Sequence, residues 1–116
     1  IDSEHVDISS NLLKATPSEK NRCITSNSIS YLEECSKQFD LIFQDGSKRC
    51  SYRKKEYDLI MNNGLLKGGG KIIVDDLHRK GCMRAFEYAI ETYDFNSETF
   101  NVVDDREYKM GLLQLK

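Results

Sequence analysis

The amino-acid sequence predicts an α/β domain with a mostly parallel sheet that ends in an antiparallel hairpin. Strand-like and helix-like segments alternate along most of the chain, which is the order that a parallel sheet with covering helices requires. Two apolar runs end in aspartate, FDLIFQD at Phe39 to Asp45 and KIIVDD at Lys71 to Asp76. The last two strand-like segments, Glu98 to Val103 and Glu107 to Leu115, are separated only by Asp104-Asp105-Arg106, which is typical of a hairpin.

The first third of the chain is predicted to contain the end of a strand, a helix, a short strand and a second helix. The opening Ile1-Asp2 resembles a strand end. The apolar spacing from Val6 to Ala15 is compatible with one helical face, and this helix stops before the only proline. Arg22 to Thr25 predicts a short strand, and Asn27 is placed to cap a helix over residues 29–36.

The middle of the chain predicts a buried strand followed by a helix. Phe39 to Phe43 is apolar apart from Asp40, which favours a strand covered on both faces. The following helix is predicted from Arg53 to Asn63, with three residues turned inward: Tyr57, Ile60 and Met61. Basic residues crowd its start, and such a run is typical of a solvated helix face rather than a nucleic-acid contact. They are Lys48, Arg49, Arg53, Lys54 and Lys55.

Three glycines punctuate the chain before the second buried strand. Gly68 to Gly70 predict a turn, and Lys71 to Val74 predict the strand that follows it. Cys82 to Tyr93 has the clearest helical periodicity of the sequence. Its predicted inward stripe contains Met83, Phe86, Ala89 and Ile90.

Composition excludes several classes of function. The chain has 116 residues, enough for one domain, and a net charge of -2 with mixed signs, so no global field recruits nucleic acid. No apolar run approaches the roughly 20 residues of a membrane span. The four cysteines form no CxxC pair, which favours reduced thiols in an intracellular protein. We therefore expect a cytoplasmic protein that contacts no membrane.

The aspartates at the two strand ends form the main functional candidate. Because the carboxyl ends of parallel strands meet at one edge, we expect Asp45, Asp75 and Asp76 to converge where ligands of open α/β sheets bind. Carboxylates at such a site suit a hard cation. The structural alternative is that these aspartates cap helices or form Asx turns.

These segments together resemble the class I S-adenosylmethionine-dependent methyltransferases. FDLIFQDG resembles the fourth strand of that family, LLKGGGKIIVDD resembles its fifth strand, and the closing hairpin resembles its sixth and seventh. The sequence is most similar to the metal-dependent O-methyltransferases, which include catechol, caffeoyl-type and sugar enzymes. Their fourth strand often ends in D-x-x-K or D-G-x-H and their fifth in D-N or D-D. The matching residues here are Asp45-Gly46-Ser47-Lys48 and Asp75-Asp76.

The resemblance implies a role for each candidate residue. For S-adenosylmethionine, it implies that Asp2 binds the ribose and that Asn27 lies near the adenine, and it places Asp45 beside the cofactor. It also implies that the three aspartates Asp45, Asp75 and Asp76 bind Mg²⁺ or another divalent cation. Lys48 is the candidate general base, with a pKa lowered by the cation, and His78 is the competing base.

The resemblance also implies a segment that this sequence does not contain. In the family, a glycine-rich loop after the first strand holds the methionine part of the cofactor. The expected fold is therefore a Rossmann-like methyltransferase sheet that lacks its first strand and helix, in a single, partial domain over residues 1–116. We expect an N-terminal extension or a second chain, as in a homo-oligomer, to complete it.

Three functions are compatible with the sequence. The leading hypothesis is an O-methyltransferase that acts on a small hydroxylated acceptor such as a sugar or a catechol-like diol. The second is a catalytically silent remnant that serves as a structural or protein-interaction module. The third, a receiver-like phosphoacceptor domain, fits poorly because Asp75 and Asp76 follow Asp45, whereas receivers place their acidic pair before the acceptor aspartate.

Overall fold

A computed structural model of the chain describes the backbone at residues 3–7, 21–25, 27–102 and 107–116, and the side chains from residue 27 onward within those ranges. The chain divides into two compact units, residues 1–35 and residues 36–116. The predicted turn at Asp104-Asp105-Arg106 lies outside the described residues.

The first unit contains a two-stranded parallel sheet and a short helix. Strand β1 (Ser3–Asp7) pairs in register with β2 (Asn21–Thr25). Helix α1 (Ser28–Glu34) follows, and the predicted second strand and second helix of this region are confirmed. The helix predicted from Val6 is wrong at its start, because Val6 pairs with Ile24 in the parallel ladder. Residues 8–20 of that prediction lie outside the described residues.

The second unit contains a mixed four-stranded sheet in the order β3-β4-β6-β5. The β3 and β4 strands are parallel, whereas β6 is antiparallel to both β4 and β5. The predicted C-terminal hairpin is confirmed, and its last strand lies beside β4. The four strands are β3 (Phe39–Gln44), β4 (Leu66–Val74), β5 (Phe95–Asn101) and β6 (Lys109–Leu115).

The core of this unit lies between one face of the sheet and two helices, α2 (Cys50–Asn62) and α3 (Lys80–Thr92). Ile72, Val74 and Leu113 on the sheet are fully buried. Gly111 on β6 has no side chain because a Cβ atom there would lie 2.7 Å from the ring of Phe86. Close approach of α3 to the sheet therefore requires glycine at this position.

The buried faces of both helices differ slightly from the predicted ones. On α2, Tyr57 and Ile60 are buried as predicted, whereas Met61 is half-buried. On α3, the buried residues are Cys82, Ala85, Phe86 and Ala89, while the predicted Met83 and Ile90 are half-buried. Each of these helices has 13 residues, and none of the helices in the described ranges is long and apolar enough to cross a membrane.

The prediction that β3 is covered on both faces is wrong. Leu41 and Phe43 are 56% and 55% exposed, although Gln44 is buried. Because alternate side chains of a strand point to opposite faces, Leu41 and Phe43 lie on the face away from the helices. β3 is also an edge strand of the four-stranded sheet, with β4 as its neighbour there.

The glycines before the second buried strand are part of the strand rather than a turn that precedes it. Phe39 pairs with Leu66 but Leu41 pairs with Lys71, so the extra residues of β4 form a bulge opposite Asp40. Gly69 has a φ of 76°, which other residues rarely adopt. The glycines permit this bulge and leave Lys71 to Val74 in regular pairing with β3.

Candidate metal centre

The parallel pairing of β3 and β4 determines where the three aspartates lie. Gln44 pairs with Val74, and the amide of Asp75 donates to the carbonyl of Gln44 at 3.0 Å. One carboxylate oxygen from each of Asp45, Asp75 and Asp76 lies within 4.8 Å of the other two. We call these three residues the carboxylate cluster. The structure brings together the three predicted ligands, and their binding of a metal ion stays a prediction.

An unusual backbone conformation allows two consecutive aspartates to join the carboxylate cluster. Successive side chains of an extended strand point in opposite directions. Asp76 has a φ of 63°, in the left-handed region that aspartate tolerates better than most residues, and this breaks the alternation. The amide of Asp76 also donates to Oδ1 of Asp75 at 2.9 Å. Asp75 and Asp76 are each only 8% exposed, whereas the side chain of Asp45 is 48% exposed.

Lys48 contacts two members of the carboxylate cluster. Its Nζ lies 3.3 Å from Oδ1 of Asp45 and forms a closer ion pair with Oδ2 of Asp76. Burial lowers the pKa of Lys48, but hydrogen bonds and charge from Asp76 and Asp45 outweigh burial and raise it. The carboxylates alone therefore keep Lys48 protonated, and the lowered pKa expected beside a bound cation stays a prediction.

The carboxyl groups of Asp45 and Asp75 differ in their affinity for protons. Burial raises the pKa of Asp45, and the hydrogen bond to Asp75 and its charge raise it further. Burial also opposes ionisation of Asp75, but hydrogen bonds from Tyr108 and Asp45 outweigh it and lower its pKa. As the pH falls, Asp45 is therefore the first of this pair to take up a proton.

Tyr108 and His78 form an aromatic wall beside the carboxylate cluster. The hydroxyl of Tyr108 donates to Oδ1 of Asp75. The ring centroids of His78 and Tyr108 are 4.8 Å apart, and Nε2 of His78 lies 3.9 Å from Oδ1 of Asp76. The amide of Lys109 donates to Nδ1 of His78 at 3.4 Å. His78, a predicted base, therefore adjoins the cluster.

The sequence analysis did not identify Tyr108 as a site residue, although one signal was available. An antiparallel neighbour begins where β4 ends, so the residues just before β6 must lie beside Asp75. Consistent with this, the amide of Leu77 donates to the carbonyl of Lys109 at 2.8 Å. The hydrogen bond to Asp75 and partial burial raise the pKa of Tyr108 to about 12.

The prediction that the basic run at the start of α2 is wholly solvated is wrong for Arg53. Its side chain is 0% exposed because this position of the helix faces the ends of β3 and β4. Nε donates to the carbonyl of Ser47 and Nη1 donates to the carbonyl of Asp75, both at 2.7 Å. Arg53 therefore contacts the backbone on both sides of the carboxylate cluster.

Two of the three predicted cofactor residues, Asp2 and Asn27, belong to the first unit, whereas Asp45 belongs to the second. Asp2 lies outside the described residues. Asn27 is the N-cap of α1, and its Oδ1 accepts a hydrogen bond from the amide of Ser30 at 2.8 Å. This capping role accounts for asparagine at that position. Its contact with adenine, like the cofactor role of Asp45, stays a prediction.

The donor set of the carboxylate cluster is suited to a hard divalent cation. Magnesium prefers oxygen ligands at about 2.0–2.1 Å in octahedral geometry, so two ligands of one ion lie up to about 4.2 Å apart. Neighbouring ligands of an octahedral ion lie only about 3 Å apart, so the oxygens of the cluster, which lie within 4.8 Å of one another, would have to draw together around a bound ion. The ammonium group of Lys48 already bridges Asp45 and Asp76, as a cation held by both carboxylates would.

Comparisons with known proteins identify the fold. No protein-family model and no curated protein sequence matches the chain. Among solved structures, a Bacillus cereus O-methyltransferase in complex with SAH matches with a TM-score of 0.67 and 18% identity over 84% of this chain and 51% of its own. An SAH-bound methyltransferase from Podospora anserina matches with a TM-score of 0.71 and 18% identity over 97% and 59%.

A third solved structure has a different acceptor in its name. An rRNA methylase from Streptococcus thermophilus matches with a TM-score of 0.70 and 12% identity over 99% of this chain and 74% of its own. This chain has the class I methyltransferase fold. It spans about half the length of the first O-methyltransferases that it matches. The resemblance to the methyltransferase fold is therefore confirmed, while these low identities leave the acceptor open.

Proposed function

We propose that this chain carries the acceptor-side residues of an S-adenosylmethionine-dependent O-methyltransferase. Its acceptor is a small hydroxylated molecule, such as a sugar or a catechol-like diol, and a divalent cation such as Mg²⁺ assists the reaction. The observation that supports this most strongly is the carboxylate cluster at the adjoining ends of β3 and β4, within a methyltransferase fold. In open α/β sheets, this edge is where ligands bind.

Asp45, Asp75 and Asp76 are the residues proposed to hold the cation. When bound, a divalent cation polarises the acceptor hydroxyl and lowers its pKa. The aromatic wall of His78 and Tyr108 lies beside the cluster, where it would offer a ring surface to an acceptor. Asp2 and Asn27 are the residues proposed to contact the ribose and adenine of the cofactor.

Methyl transfer is a displacement in which the acceptor oxygen forms a bond to the methyl carbon while the carbon–sulfur bond breaks. The sulfur keeps the electron pair, which leaves neutral S-adenosylhomocysteine. The hydroxyl proton passes to Lys48, or to His78 in the competing assignment. Lys48 must first release its own proton to solvent, and separation of its ammonium group from Asp45 and Asp76 would remove the interactions that hold this proton.

The alternative is a catalytically silent methyltransferase-like module with a structural or protein-interaction role. The contacts of Lys48 favour this alternative, because an ammonium group that pairs with Asp45 and Asp76 stabilises the cluster without any ligand. Under this alternative, the carboxylates serve only to connect the ends of β3 and β4.

Transfer of a labelled methyl group from S-adenosylmethionine to a panel of sugars and catechols tests the two proposals. The assay is run with MgCl₂ and with EDTA, on the 116-residue chain and, where the reading frame continues upstream of Ile1, with those residues included. Transfer that requires Mg²⁺ supports the metal-assisted enzyme. Equal transfer in MgCl₂ and in EDTA would contradict the role of the metal. If no form of the chain binds S-adenosylhomocysteine by calorimetry, the result supports the silent module.

A further inference from the structure

Arg53 is a fully buried charged side chain that contacts the backbone next to the carboxylate cluster. It lies in the first turn of α2 and donates to two main-chain oxygens, one on each side of the cluster. The carbonyl of Ser47 belongs to the loop that connects Asp45 to Lys48, and the other carbonyl is that of Asp75 itself. One side chain therefore links the segment after β3 to the segment after β4.

This link joins the two segments beyond the point where hydrogen bonding between the strands ends. The ladder between β3 and β4 ends with the hydrogen bond from the amide of Asp75 to the carbonyl of Gln44. The loop after Asp45 turns away toward α2, so its position depends on contacts outside the sheet. Arginine suits this task because its planar guanidinium presents several donors at fixed angles, whereas lysine presents one flexible ammonium group.

The third nitrogen of the guanidinium argues against a role in packing alone. Nη2 of Arg53 is buried and has no hydrogen-bond partner among the described residues. A buried donor without a partner is unfavourable, and an apolar side chain of similar length would avoid that penalty. Such a side chain would, however, leave the carbonyls of Ser47 and Asp75 without their donors.

We infer that Arg53 is a positioning residue, which holds the Asp45–Lys48 loop and the end of β4 at the separation that the carboxylate cluster needs to bind a divalent cation. The cation-binding part of this inference rests on the proposed function, whereas the positioning part is a statement about geometry. Arg53 acts through the two backbone segments and touches neither the cation nor the acceptor.

Two substitutions and a matched control test the inference. Arg53→Lys keeps the positive charge but loses the planar guanidinium with its several donors. Arg53→Met loses the charge and the donors while filling a similar space. Arg84→Lys makes the same exchange at an exposed position of α3. Each protein is titrated with Mn²⁺ by calorimetry, because Mn²⁺ shares the preference of Mg²⁺ for oxygen ligands. Circular dichroism and thermal unfolding establish that each variant is folded.

We expect Arg53→Lys to weaken Mn²⁺ binding by about 10–100-fold, as residues that orient metal ligands do, and Arg53→Met to weaken it more. Arg84→Lys should bind as the unchanged chain does. Crystal structures of the Arg53 variants should show the carboxylate oxygens of the cluster spread beyond their present 4.8 Å.

Crystal structures in which both Arg53 variants keep the cluster within that distance would overturn the inference. Equal Mn²⁺ affinity of the variants and the unchanged chain would overturn it as well. If the unchanged chain binds no Mn²⁺, the metal part of the proposed function fails, and the crystal structures of the variants still decide whether Arg53 positions the two segments.

Discussion

The second unit contains two sites in which an aspartate accepts hydrogen bonds from tyrosine, and the two sites differ in their role. Asp58 on α2 accepts hydrogen bonds at 2.6 Å from the hydroxyls of Tyr88 and Tyr93, and so joins α2 to the region of α3. Asp75 also accepts a tyrosine hydroxyl, that of Tyr108, but it shares its surroundings with two further carboxylates. One site pairs a single charge with neutral donors, whereas the other crowds like charges together.

The difference separates a structural site from a candidate functional one. A carboxylate that accepts hydrogen bonds from two phenols is satisfied, and its bonds stabilise the packing of α2 against α3. Carboxylates within 4.8 Å of one another repel, and Lys48 compensates only part of that charge. Like charges held together at the expense of stability favour a ligand of opposite charge, and this is a reason to place function at the carboxylate cluster.

The largest expected effect is on catalysis. Asp75→Asn removes one charge from the carboxylate cluster while keeping the shape of the side chain. Mg²⁺-dependent methyl transfer should therefore fall by at least about 100-fold, because replacing even a residue that only orients a metal ligand lowers activity by up to about that factor. The affinity for S-adenosylhomocysteine, measured by calorimetry, should change little. Asp58→Asn is the matched control and should retain turnover. Equal losses of turnover and cofactor affinity in Asp75→Asn would remove the metal assignment.

The second prediction concerns stability, for which we expect Asp58 to matter more than Asp75. Asp58→Ala removes the acceptor of two hydrogen bonds, from Tyr88 and Tyr93. Both tyrosines are half-buried and can bond to water instead, so the net loss should be about 1 kcal/mol and the midpoint of thermal unfolding should fall by about 4–8 °C. Mn²⁺ affinity should be unchanged. Asp75→Asn should lower the midpoint less, because the amide oxygen of asparagine can still accept the hydrogen bond from Tyr108. A larger drop there than in Asp58→Ala would contradict the distinction between the two sites.

The third prediction concerns the packing of α3 against the loop that carries Lys48. A Cβ atom at Gly81 would lie 2.8 Å from the carbonyl oxygen of Lys48, a backbone atom that cannot move freely. Overpacking costs about 1–3 kcal/mol, and the better helix propensity of alanine returns about 1 kcal/mol. Gly81→Ala should therefore be destabilised by up to about 2 kcal/mol in urea unfolding.

Gly46 provides the control for that substitution. It belongs to the same loop, but a Cβ atom there would meet nothing within 4 Å. Gly46→Ala should therefore unfold at the same urea concentration as the unchanged chain or at a slightly higher one. A Gly81→Ala chain as stable as Gly46→Ala would show that α3 does not press on the loop.

The smallest expected effect is a dependence of stability on alkaline pH. The folded-state pKa of Tyr108 is raised to about 12 from an unfolded value of about 10, so its contribution to stability is complete below about pH 10 and disappears as the pH rises through 12. The difference in urea midpoint between the unchanged chain and Tyr108→Phe should therefore shrink from pH 9 to pH 11.5. A constant difference across that range would contradict the hydrogen bond to Asp75.

Local sequence patterns predicted most elements of the fold. Apolar runs predicted β3 and the regular part of β4, and helical periodicity predicted α2 and α3, because these signals depend only on neighbouring residues. The glycine bulge in β4 was misread as a turn, since glycine signals a bend without revealing that pairing continues on both sides. The end of β1, at Val6 and Asp7, was misread as the start of a helix because a strand of five residues carries little periodicity.

The candidate site was predictable only as far as it follows from strand ends. Convergence of Asp45 and Asp75 follows from parallel pairing alone. Tyr108 lies 33 positions from Asp75, and only the antiparallel placement of β6 brings them together. The burial of Arg53 had no local signal either, because Arg53 is one of several basic residues at the start of α2, and only the approach of α2 to the two strand ends covers it.

The left-handed backbone of Asp76 decides how its role can be probed. At such a position, residues other than glycine, aspartate and asparagine meet a conformational penalty of about 1–2 kcal/mol. An alanine scan would therefore merge a steric cost with the loss of a charge, and a damaged protein would say little about either. Asparagine keeps the backbone and removes the charge, while glycine relieves the backbone and removes the whole group, so this pair separates the two contributions.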